Sequence, residues 1–221
     1  MAQSINTKDR VINHGEVFTQ EREVNAMLDL VKHETERIES RFLEPACGTG
    51  NFLVPILERK LEAVKQKYSS SQTEFERMML LAVSSIYGVE LLQDNVEACI
   101  ERLLNIINNF YSKLYKDKYK EDFYTSIKFV LNRNILLGDA LSLKKPNSTE
   151  YIIFSEWSLV NGSMVKRRDF EYRELADFDS NRPTLFSLRE VSDTGEAVFS
   201  PMPVKEFPLK HYLKLDYEDT K

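Results

Sequence analysis

Apolar and polar residues recur along this chain with two periods, one helical and one extended. Between residues 21 and 39, Val24, Met27, Leu28 and Val31 fall at spacings of three and four, which predicts an amphipathic helix. Thr19 stands at the N-cap position, and the acidic residues after it suit the helix dipole. Arg41-Phe42-Leu43-Glu44 predicts a short buried strand that stops at Pro45. A glycine-containing loop follows, and Asn51 opens a long helix through Phe52, Leu53, Ile56, Leu57, Leu61 and Val64. Ser69-Ser70-Ser71 breaks it, and Phe75 to Val83 predicts a second helical segment. Ser85 to Glu90 is a strand ending in a carboxylate, and Asp94 to Tyr115 a helix with an apolar stripe. A polar, Lys-rich stretch leads to Asn134 to Asp139, a third strand ending in a carboxylate, and Tyr151 to Phe154 predicts a fourth.

That order, strand and helix in alternation, predicts an α/β fold with a largely parallel sheet flanked by helices. Ligands in such sheets sit beyond the carboxyl ends of the strands, where the loops and carboxylates fall. Residues 1–159 are expected to form this core, together with the N-terminal helix. Residues 160–221 are expected to form a β-rich extension packed on it. There Phe186 to Val191 and Ala197 to Met202 flank Asp193-Thr194-Gly195, a β-hairpin pattern.

Composition adds little to this picture. A hydrophobic fraction of 42% and a charged fraction of 29% are ordinary for a globular chain able to bury its own core. No run approaches the ~18 apolar residues of a membrane span, and Met1 to Arg10 lacks a signal-peptide core, so a cytoplasmic location is expected. Cys47 and Cys99 show no metal spacing and are expected to be small buried residues, and three scattered histidines offer no metal site. The formal net charge of −5 does not favour unaided nucleic-acid binding. Lys166-Arg167-Arg168 is the best candidate for a phosphate-contact patch, against the plainer reading of a solvated face.

The chemistry gathers at the strand ends. Glycines in Ala46-Cys47-Gly48-Thr49-Gly50-Asn51 let the backbone approach a ligand closely. A dinucleotide fingerprint requires a third glycine, but Leu53 holds that position, and no P-loop Lys-Ser/Thr pair follows. Glu44 precedes the glycines, where a carboxylate suits a cationic group such as the ammonium or sulfonium of S-adenosylmethionine (SAM). Glu90 ends the second strand, as ribose-binding acids do in nucleotide-binding folds. It lies 40 residues beyond Gly50, twice the ~20 of dinucleotide sites, and the extra helical segment accounts for the gap. Asp139 ends the third strand, placed to accept from an adenine amino group; a lone Asp after a Gly is more often a turn residue, but acids at three successive strand ends are the stronger signal.

These motifs resemble those of adenine-N6 DNA methyltransferases from restriction-modification systems. Phe42 to Phe52 resembles their SAM-binding motif, Gly88-Val89-Glu90 their ribose motif, and Gly138-Asp139-Ala140-Leu141 their adenine-contacting motif. Gly15-Glu16-Val17-Phe18-Thr19 is similar to the segment that packs on the methionine part of SAM, with Gln20 where a proline is common. The resemblance spans about residues 15–141 and implies a Rossmann-like SAM-dependent methyltransferase fold. The implied cofactor-binding set is Phe18, Thr19, Glu44, Ala46, Gly48, Gly50, Asn51, Phe52, Glu90, Leu91, Asp139, Ala140 and Leu141. The chain also resembles short methylation subunits, which implies DNA as the partner, reached alone or through a specificity subunit.

One motif of the family is missing. Its members carry Asp/Asn-Pro-Pro-aromatic after the fourth strand, to hold the target amino group and stack on a base flipped out of the duplex. The sequence contains no Pro-Pro, and the slot after Phe154 reads Ser155-Glu156-Trp157-Ser158. Glu156 as the acceptor and Trp157 as the stacking ring are the catalytic candidates. The competing reading has Trp157 simply burying its ring. The leading expectation is a SAM-dependent adenine-N6 DNA methyltransferase or methylation subunit. The alternatives are a non-catalytic SAM-binding regulatory or assembly subunit, and a methyltransferase of another substrate class.

Overall fold

A computed structural model of the chain describes residues 19–176, 188–191 and 197–217. Helix α1 (Glu21–Leu30) buries Val24 and Leu28 and ends at Val31, and a single turn, α2 (Lys32–Thr35), follows. The predicted helix to residue 39 therefore stops short. The carbonyls of Arg37, Ile38 and Ser40 are instead drawn onto the buried Lys60 ammonium at 2.9, 2.9 and 2.6 Å. Burial pushes that ammonium down to about 8, opposed by Glu39 and Glu34 nearby. This pin delivers the chain into β1 (Phe42–Glu44).

Two helices, α3 (Leu53–Tyr68) and α4 (Gln72–Ser84), separate β1 from β2 (Ile86–Glu90). Helix α5 (Gln93–Tyr115) and a further helix, α6 (Glu121–Asn134), lead to β3 (Ile135–Leu137). The Lys-rich stretch, expected as a polar connection, thus contains a helix. Its buried Phe123, Ile127, Val130 and Leu131 recur with helical spacing between the exposed Glu121, Asp122, Thr125 and Lys128.

Strands β1, β2 and β3 form a parallel sheet in that order, so β1 and β3 are its edges among the described residues. Phe42, Ile86, Ile135 and Leu137 face the helices and join the main core. On the other face, Tyr87, Val89 and Leu136 pack with Ile152, Phe154 and Tyr172. Alternation along each strand assigns the two faces, because successive side chains point to opposite sides.

The expected fourth strand is longer than predicted and belongs elsewhere. β4 (Ile153–Val160) pairs antiparallel with β5 (Met164–Glu171), and together they form a second sheet with β8 (Lys205–Glu206) and β9 (Lys210–His211). Asn161 and Gly162, at φ +43° and +77°, turn the chain between them. This left-handed Asn-Gly pair is a strong hairpin signal. It draws residues 153–160 into a hairpin and away from the parallel sheet. A short helix, α7 (Tyr172–Ala176), follows, and the predicted hairpin appears as β6 (Leu188–Val191) paired with β7 (Ala197–Ser200). Among the described residues, no helix is long and apolar enough to cross a membrane.

Candidate functional site

The loop after β1 is held from three directions. Its Cys47 N–H donates to the Val89 carbonyl at 3.0 Å, which ties it to β2, and Gly50 N–H donates back to Cys47 at 2.8 Å. Gly48 N–H donates to Glu90 Oε2 at 2.9 Å, and Glu90 Oε1 accepts from Leu92 N–H at 3.0 Å. From α5, Arg102 donates to the Thr49 carbonyl at 2.6 Å, Thr49 Oγ1 at 3.1 Å and Asn51 Oδ1 at 3.0 Å. Arg102 was not singled out from sequence, because its partners lie some fifty residues away and no local pattern announces them.

The two loop glycines serve different ends. Gly48, at φ +51°, has open space where a Cβ would stand, so its backbone faces the adjoining cleft unobstructed. Gly50, at φ +88°, turns that side inward, where a Cβ would come within 2.8 Å of Cys99 Sγ. Cys47 lies below Gly88 in the same way, at 2.9 Å from a Cβ there. Both cysteines are free and buried. Contact with Cys99 and burial both drive the Cys47 thiol up, which keeps it protonated and inert.

At the end of β3 the chain turns sharply. Asp139 Oδ1 accepts from Leu141 N–H at 2.9 Å and Oδ2 from Ser142 Oγ at 2.8 Å. The Leu141 amide first, then Ser142, hold this exposed carboxyl below the usual range. Glu44 behaves oppositely. Its burial raises the carboxyl, against a smaller opposing effect of a hydrogen bond from the Ala46 amide.

These groups border one cleft of about 560 Å³ over the carboxyl ends of the three parallel strands. Thr19, Glu44, Ala46, Gly48, Asn51, Phe52, Glu90, Leu91, Asp139, Ala140 and Leu141 all line it. Leu141 and Leu91 are 96% and 60% exposed, apolar surfaces presented to the opening. The three carboxylates come from three successive strand ends, and the lining includes no Lys, Arg or His among the described residues. Of the residues singled out from sequence, Gly50 supports the loop from below, and Phe18 lies outside the described residues.

Glu156 and Trp157 are not brought to this cleft. Both sit inside β4 rather than in a loop after a strand. Glu156 is clasped by Arg41 and Arg168, each at 2.5 Å. Trp157 is buried, donates from its indole N–H to Asn134 Oδ1 at 3.0 Å and meets the Phe129 ring edge-on. Asn134 precedes β3, so this contact lies at the amino ends of the parallel strands, opposite the cleft. Lys166, Arg167 and Arg168 follow one another on β5 and bond to Glu206, Asp169 and Glu156 respectively, so each charge already has a carboxylate partner.

Residues 18–151, more than half of the chain, match the family model described as MmeI, DNA-methyltransferase domain. No curated protein and no solved structure gives a significant match.

Proposed function

The chain belongs to the MmeI DNA-methyltransferase domain family, and from that premise we propose that it binds SAM in the strand-end cleft and serves adenine-N6 methylation of DNA. One observation carries the cofactor assignment: three carboxylates converge on a cleft whose described lining contains no cationic side chain. A dinucleotide or nucleoside triphosphate brings several negative charges, and that field would repel it. A ligand carrying an ammonium and a sulfonium is attracted. The cleft volume also lies within the ~300–1,000 Å³ typical of cofactor sites.

In this reading Glu44 faces the cationic end of the cofactor, with Thr19 and Phe18 near its methionine part. Gly48 gives the backbone room, beside Ala46, Asn51 and Phe52. Glu90 already accepts two backbone N–H groups, and its remaining lone pairs accept from the ribose hydroxyls. Leu91, Ala140 and Leu141 cover the adenine faces, and Asp139 accepts from its amino group. When bound, SAM supplies an electrophilic methyl group on a positively charged sulfur. The chain's part is to orient that group and shield it from water. A parallel sheet with a cleft at its strand ends also supports a Rossmann-like fold.

A second reading draws on Glu156 and Trp157. Both are engaged away from the cleft, which favours a subunit that holds the cofactor while the groups binding the acceptor base come from another polypeptide. Calorimetric titration of the purified chain with SAM, beside Glu90→Ala, tests the cofactor site. Saturable binding lost in the variant supports it, and no binding by well-folded wild type overturns it. Transfer of labelled methyl groups to DNA by the chain alone would exclude the second reading.

A further inference from the structure

The acids of the strand-end cleft answer only part of the proposed cofactor. They suit its ammonium and sulfonium, but SAM also carries a carboxylate, on the same carbon as the ammonium. Three carboxylates repel that group, and no cation lines the cleft among the described residues. Hydrogen-bond donors have to hold it instead. With the acids ionised, donor protons on the lining side chains belong to Thr19, Cys47, Thr49 and Asn51. The Cys47 thiol is a weak donor and is turned to the Gly48 carbonyl at 3.8 Å.

Arg102, which stands outside the cleft lining, fixes the direction of two of these donors. A guanidinium can only donate, so it claims the acceptor of any neutral side chain it meets. Its Nη1 reaches Thr49 Oγ1 at 3.1 Å and Asn51 Oδ1 at 3.0 Å, beside the Thr49 carbonyl at 2.6 Å. With Oδ1 claimed, the Asn51 amide is held in one of its two flips, and its Nδ2 N–H groups point away from Arg102. With Oγ1 accepting, the single Thr49 hydroxyl proton is also turned elsewhere. Among the described residues, nothing accepts from that amide nitrogen or that hydroxyl. The positive charge stands behind both groups and polarises them as donors.

We infer that Thr49 and Asn51 form a carboxylate subsite in the cleft, and that Arg102 is the positioning residue that sets it. Resting on the SAM reading, the ligand group is the carboxylate of its methionine end. Glu44, just before the glycine loop, takes the ammonium, and Thr49 and Asn51, within the loop, take the carboxylate. The cleft thereby recognises an amino acid as such rather than positive charge alone. A clip that merely tied the loop to α5 would need the Thr49 carbonyl and nothing more.

Decarboxylated SAM keeps both positive charges and lacks only the carboxylate, which makes it the discriminating probe. The full chain would be titrated calorimetrically with each ligand, beside Asn51→Asp and Arg102→Met, with urea unfolding to check that each variant folds. Wild type should bind SAM at least about tenfold more tightly than the decarboxylated ligand, the worth of one charge-assisted hydrogen bond. Asn51→Asp, nearly identical in shape, keeps an acceptor for Arg102 and loses the donors, so its preference should reverse. Arg102→Met leaves the amide able to turn over and should remove most of the preference. Equal affinity of wild type for the two ligands would overturn the proposal. So would a variant that loses both ligands equally, the result of a loop clip alone, or an Arg102→Met protein with wild-type preference. Discrimination absent while SAM still binds sinks this proposal alone. Binding of neither ligand by folded wild type is instead the failure of the cofactor reading.

Discussion

The strand-end cleft and the β4–β5 hairpin both gather carboxylates, yet they treat them differently. Around the cleft, Glu90 and Asp139 accept from backbone N–H groups or a hydroxyl, partners that satisfy hydrogen bonds without cancelling charge. On the hairpin, Glu156 and Asp169 are bound by arginines, which do cancel it. The first arrangement leaves the carboxylate charges in place, as the proposed cationic ligand requires. The second consumes its charges in holding strands together. Residue type alone does not separate a site from a scaffold; the identity of the partner does.

The sharpest attack on this comparison is a pair of substitutions. Glu90→Ala removes two backbone anchors of the loop and the acceptor proposed for the ribose. It should lower SAM affinity about a hundredfold, as expected for charge-assisted hydrogen bonds worth roughly 1.5–3 kcal/mol each. Glu156→Ala should leave SAM affinity unchanged in the same calorimeter. A comparable loss in both would erase the distinction.

Next in size is Gly50→Ala, which forces a methyl against Cys99 Sγ at a positive φ. It should cost about 2 kcal/mol in urea unfolding. Adding Cys99→Ala should recover part of that cost, with the backbone strain left over. Trp157→Phe follows, at about 1–2 kcal/mol, because it strands the buried Asn134 Oδ1 that the indole satisfies. SAM binding should not change with it.

The smallest effect is on pH. Burial raises the Glu44 carboxyl, so it takes up a proton at a higher pH than an ordinary glutamate. SAM binding should therefore weaken on acidification through that raised range, and the Glu44→Gln variant should lack this component. The linkage to folding has the opposite sign. The folded state holds this proton more tightly than the unfolded chain, so Glu44 favours the fold at low pH and loses that contribution as pH rises.

The sequence made the cleft legible because its determinants are local. Short apolar strands, glycines in the turn and an acid at each strand end each carry a pattern within a few residues. The β4 assignment went astray because a strand's partner is a non-local fact. Tyr151 to Phe154 looks the same whether it joins a parallel sheet or opens a hairpin. The deciding Asn161-Gly162 pair lies beyond that apolar run, across a stretch whose own residues do not announce a hairpin. Helix α6 was missed for another reason: lysines dominate its neighbourhood and mask the spacing of Phe123, Ile127, Val130 and Leu131. The Arg102 clamp depends on two distant segments meeting, which no reading of either one supplies.

The pin at Lys60 also has a use as a chemical clock. Its amine has no exposed surface and all its donors are committed to carbonyls ahead of β1. Surface lysines will react with an acylating reagent in the folded protein, but Lys60 will react only when that part of the structure opens. Peptide mapping of its acylation over time would then measure how often the strand that launches the cofactor loop comes loose. Protection by SAM at this residue would show how strongly a ligand at the strand ends steadies the chain on the far side of the sheet.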